Sequence, residues 1–106
     1  MDVMQEELMI MLMLYVANID GKIKPDEVKV MLERFDAKMV AEIRQKFNKM
    51  NDVEVLQYIE NHIGSVLDTE DKKAEMLSQL RKIIEADEKN LPIEELVLRE
   101  VESLLQ

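Results

Sequence analysis

The side chains best placed to do chemistry in this chain are carboxylates gathered in two turn segments of similar layout. The first runs Val16-Ala17-Asn18-Ile19-Asp20-Gly21-Lys22-Ile23-Lys24-Pro25-Asp26-Glu27-Val28. The second, one residue longer, runs Ile83-Ile84-Glu85-Ala86-Asp87-Glu88-Lys89-Asn90-Leu91-Pro92-Ile93-Glu94-Glu95-Leu96. Each joins an apolar helix end to an acidic turn, an apolar residue and a new helix start rich in carboxylates. Oxygen donors of this kind, in a chain with no cysteine and a single histidine, suit magnesium, calcium or manganese better than zinc. The same carboxylates also serve as helix caps facing water, and the sequence leaves both roles open. A calcium-binding EF-hand does not fit: Val16 would occupy its first ligand position, and the second segment would put Ile84 and Ala86 at ligand positions and Lys89 where glycine is needed.

Both segments make physical sense as helix entries. Gly21 can take a positive φ and turn the chain, and Pro25 suits the first helical position because its missing N–H would be unpaired there. Ile23 and Val28 are spaced as a hydrophobic staple, and Glu27 sits three residues after Lys24, where a capping box places its carboxylate. Lysine offers no acceptor, so the amides of that helix start look to Asp20 or Glu27. Leu91, Leu96 and Glu95 repeat the staple and the carboxylate in the second segment.

This arrangement resembles the tellurite-resistance TerB family, whose members are also similar to the N-terminal domain of membrane-anchored DnaJ-like proteins. The family pattern is a helix ending in Ala-x-x-Asp-Gly, an Ile and a Glu opening the next helix, and a second such unit near the C terminus. Ala17, Asp20, Gly21, Ile23 and Glu27 match the first unit; in the second, Asp87 and Glu95 match, while Glu88 stands where the glycine would be. The resemblance implies an all-helical bundle with pseudo-twofold character whose two acidic turns lie together on one face. It further implies a non-enzymatic stress or metal-response protein, with Asp20, Glu27, Asp87 and Glu95 as candidate ligands of a divalent cation.

Other chemistries find little support. His62 is the only histidine and reads as half-buried packing on a helix edge with Val55, Ile59 and Val66. Without a second histidine, a cysteine or a serine placed by a motif, it builds neither a nucleophilic triad nor a zinc site. Phosphate-cradling glycine loops are missing too, so an enzyme is not expected.

The elements that must position the turns are helices. Leu8 to Ala17, LMIMLMLYVA, is apolar on every side, which requires a helix enclosed by others; the spacing predicts it over Asp2 to Asn18. A second helix from Pro25 buries Val28, Met31, Leu32 and Phe35. Asp36 caps a third, with Met39, Val40, Ile43, Phe47 and Met50 inward, and the junction is either a kink or a loop because no glycine or proline marks it. Asn51 with Glu54, stapled by Met50 and Val55, opens a fourth with Leu56, Ile59, Ile63, Val66 and Leu67 buried. Asp68 or Thr69 opens a fifth, with Leu77, Leu80, Ile83 and Ile84 as core positions. A last helix from Pro92 buries Ile93, Leu96, Val97, Val101 and Leu104. The expected fold is therefore all-α, a bundle of five or six helices around a buried N-terminal helix, with residues 1–106 as one domain.

A chain of 106 residues supports a core without staples, and the lack of cysteine fits a reducing cytoplasm. The apolar run is too short to span a bilayer and follows Asp2, Glu6 and Glu7 where a signal peptide is basic. Net charge is −9, and residues 85–106 alone hold seven acids against two cations. Such a surface is repelled by phosphate backbones and anionic headgroups, so no nucleic acid is expected; it favours a basic partner or a divalent cation, and a protein partner or a homo-oligomer is the expected company. Nine methionines, four of them Met4, Met9, Met11 and Met13, serve either the core or an adaptable partner surface.

Overall fold

A helix with no polar side can be stable in water only if its neighbours close over it completely, and the architecture follows from that requirement. The computed structural model describes residues 3–18 and 23–85, with residues 99, 102 and 103. Among these, five helices run in the order α1 (Val3–Ala17), α2 (Pro25–Arg34), α3 (Ala37–Asn48), α4 (Asp52–Val66) and α5 (Glu70–Glu85), with no strand. The protein is an all-α bundle in which α1 packs against each of the other four. From Leu8 to Ala17 every side chain except the partly buried Tyr15 is at most 2% exposed. Met9, Met11 and Met13 are thus core residues, while Met4 at the open end of the helix is 57% exposed.

Helix boundaries follow local capping chemistry. Asn51 and Glu54 form the reciprocal box: Glu54 N–H donates to Asn51 Oδ1 at 2.8 Å and Asn51 N–H donates to Glu54 Oε1 at 3.0 Å. Thr69 opens α5, its hydroxyl accepting from Lys72 N–H at 3.2 Å, whereas Asp68 pairs with Lys72 Nζ at 2.8 Å. That ammonium holds the Asp68 carboxyl below its usual pKa. Between α2 and α3 the chain breaks instead of kinking. Phe35 and Asp36 are both extended, and Asp36 accepts from Met39 N–H at 3.4 Å. The last helix start near Pro92, with Ile83 and Ile84 as buried positions, lies outside the residues whose side chains are described.

Packing departs from the sequence reading in three helices. Leu56, expected on the buried face of α4, is half-buried. Met76 is fully buried in α5 beside Leu80, while Leu77 is half-buried. Leu32 was expected in the core, yet it is 47% exposed, because α2 turns Met31 inward and leaves Val28 and Leu32 on the flank facing α3. One long-range polar contact sets the bundle's register. Gln5, buried in the first turn of α1, donates Nε2–H to the Val66 carbonyl at 3.2 Å, satisfying an acceptor in the last turn of α4.

Truncating a fully enclosed α1 side chain leaves a cavity that four neighbouring helices cannot all collapse into. Leu12→Ala should therefore lower unfolding free energy by about 2–5 kcal/mol, and the near-isosteric Met11→Leu by less than about 1.5 kcal/mol. Urea denaturation followed by circular dichroism measures both; equal, small losses would mean that α1 is not the enclosed element.

Candidate acidic-turn site

Glu27 is the one candidate ligand that the described residues include, and its surroundings show what the sequence folds it to do. Lys24 adopts an extended backbone (φ −87°, ψ 153°), Pro25 starts the helix, and Glu27 arrives at its third position. There its Oε1 accepts the Lys24 backbone N–H at 2.8 Å, and the backbone N–H of Glu27 reaches the Lys24 carbonyl at 3.1 Å. Glu27 is 2% exposed, its side chain held under the helix entry. Burying a carboxyl group costs heavily unless hydrogen bonds compensate, and the bond from Lys24 N–H offsets part of that cost.

The result is a carboxyl fixed at the N-terminal entry of α2. Ile23 and Val28, spaced as a staple, both line the surface depression beside this entry. Asp20, Asp87 and Glu95 lie outside the described residues, and so does the expected pairing of the two turns on one face. Among the described residues no three His, Cys, Asp or Glu side chains gather as a ready metal cluster.

His62 has the packing role its position in α4 predicts. It is half-buried, its ring stacks on Tyr58 with centroids 4.2 Å apart, and its Nδ1 lies 2.7 Å from the Tyr58 carbonyl. A carbonyl only accepts, so Nδ1 carries the proton. Tyr58 is pushed above the ordinary 10.0 by burial and then by the negative charge of Glu7 on α1.

What sequence reading missed lies between α2 and α3. Two adjoining depressions of about 360 and 280 Å³ share Val28, Leu32 and Arg44 as lining and make one open trough. The available signal was the pair Val28 and Leu32, four residues apart and offset from the Met31 face. No pattern told whether another helix would cover it.

Two measurements check these assignments. Glu27→Ala should destabilise the protein by about 1–2 kcal/mol through loss of the cap, while Glu27→Gln, which keeps the acceptor, should cost markedly less in the same urea series. Tyr58 ionises later folded than unfolded, so its contribution to stability is intact below pH 10 and is lost as pH rises from 10 through the higher folded value. Titration of tyrosinate absorbance should show a late-ionising group that disappears in Tyr58→Phe.

The profile of the family described as tellurite resistance protein TerB matches residues 6–106, which takes in most of α1, both acidic segments and all that follows. No curated protein and no solved structure matches the chain significantly. With the profile spanning essentially the full sequence, and an enclosed N-terminal helix followed in sequence by Asp20-Gly21 and the Glu27 cap, the chain belongs to the TerB family.

Proposed function

We propose that this protein is a non-enzymatic component of a stress or metal response, working in the cytoplasm and binding a divalent cation weakly through its acidic turns, with Asp20, Glu27, Asp87 and Glu95 as ligands. The observation that carries this reading is Glu27: a carboxyl group 2% exposed, fixed by a 2.8 Å bond at the start of α2, seven residues after Asp20 in the sequence. A cation beside a buried carboxyl group would favour its ionised form and offset the cost of its desolvation. The donor set contains only carboxylates, which fits calcium, magnesium or manganese and does not fit zinc. When bound, the ion would supply charge neutralisation that draws the acidic turns together. Absence of cysteine and the committed packing of the lone histidine support a binding role over covalent or thiolate chemistry.

Calcium, magnesium and manganese, each titrated into the protein while backbone amides are followed by NMR, test the proposal. Saturable shifts at Lys24, Glu27 and the two acidic turns, with dissociation constants on the order of millimolar, are expected. Asp20→Asn should weaken them severalfold. Shifts spread evenly over the acidic surface, or none at all, would remove the site.

A second reading, an interaction module that needs no metal, is favoured by one specific observation. With the Leu8–Ala17 stretch of α1 enclosed, Leu32 is an exposed apolar side chain that sits in a concave surface among the described residues, in the trough between α2 and α3.

A further inference from the structure

We infer that the α2–α3 trough is a docking site for an acidic amphipathic helix of a partner protein, one that presents an aliphatic stripe flanked by glutamate or aspartate. The inference deepens the reading of this chain as an interaction module and is independent of the cation site.

Charge is the first argument. The protein as a whole is strongly acidic, yet residues 23–50, which contain α2 and α3, carry seven of its 14 cations against five acids. One of those five, Glu27, is buried in the helix cap. The other 78 residues hold seven cations against eighteen acids. The polar residues that line the trough are Lys29, Arg44, Gln45 and Asn48, and among the described residues no carboxylate lines it. This is a positive and apolar strip on a negative body, so it repels basic partners less than the rest of the molecule does and attracts acidic ones.

Shape and apolarity give the second argument. The floor is made by Ile23, Val28, Leu32 and Val40, with Leu32 left 47% exposed between two helices that already bury their other faces in the core. Alpha2 and α3 are 10 and 12 residues long, so the trough can accept roughly three turns of a helix at 1.5 Å per residue. An aliphatic side chain of the partner inserts beside Leu32, while carboxylates one turn away on either side meet Lys29 and Arg44. Arginine can hold such a carboxylate through two parallel hydrogen bonds. The lining area is small, which makes the contact weak and reversible.

The test uses the full-length protein and a designed 16-residue helical peptide with leucines at i, i+4 and i+7 and glutamates at the flanking positions. Two comparators replace every glutamate with glutamine or with lysine. Amide shifts at Val28, Leu32, Val40 and Arg44 should saturate with the glutamate peptide at sub-millimolar concentration and weaken severalfold between low salt and 0.5 M salt. The glutamine peptide should bind about tenfold more weakly and the lysine peptide should leave those amides unmoved. Leu32→Ser and Arg44→Gln should each raise the dissociation constant about tenfold, with α1 amides unchanged to show that both variants are folded.

Equal or tighter binding of the lysine peptide would overturn the acidic partner while keeping an interaction site. Trough amides that respond to none of the three peptides would overturn the interaction reading itself. If the same amides shift when the protein alone is diluted, a second copy is the occupant, and if they respond to phosphatidylglycerol vesicles and not to the glutamate peptide, a membrane surface is; either result overturns the proposal.

Discussion

The enclosure of α1 is the constraint on which the rest of the structure depends. Nine side chains between Leu8 and Ala17 are almost wholly removed from water, and each fully buried aliphatic or methionine contributes about 1.5–3 kcal/mol relative to leaving it exposed. No two-helix packing can cover a helix on all sides. The remaining helices are therefore arranged as a jacket, with α3, α4 and α5 forming the larger contacts and α2 a smaller one. Methionine suits such a position, since its flexible thioether fills gaps where four neighbours meet without a shared geometry.

The limited part played by α2 in that jacket has a consequence for the surface. A helix that contributes chiefly Met31 and the half-buried Val30 and Phe35 to the core keeps an apolar flank unused. That flank, together with α3, makes the trough. Its exposed leucine stands beside Lys29 and Arg44, so an open apolar side chain and two cations share one strip of the surface. Net charge alone pointed to a basic partner; the local excess of cations on residues 23–50 runs against that overall sign.

At the entry to α2, Glu27 completes a helix start that lysine cannot cap, and it does so from a buried position. The exposed pair Asn51 and Glu54 builds the same reciprocal cap at the surface of the same protein. The buried version costs more, because a carboxyl group removed from water must recover its lost hydration through hydrogen bonds.

Much of this fold was legible in the sequence because the signals are local. The all-round apolar run Leu8–Ala17 announces an enclosed helix, Asn51 with Glu54 announces a capped start, and Val40, Ile43 and Phe47 announce a buried face, since each depends only on helical periodicity and on amides that need acceptors. The Ala17, Asp20, Gly21, Ile23 and Glu27 pattern was enough to point to the family. Three things were decided only by tertiary structure. Leu32 shares the helical spacing of a core residue, and only the placement of α3 determines that it stays open. Gln5 carries no sequence mark of its bond to the Val66 carbonyl, 61 residues away, because that partner is brought close by helix packing alone. Glu27 could be predicted as a cap from its spacing, but not as a buried one, because burial is a property of what packs above a residue and not of its neighbours along the chain.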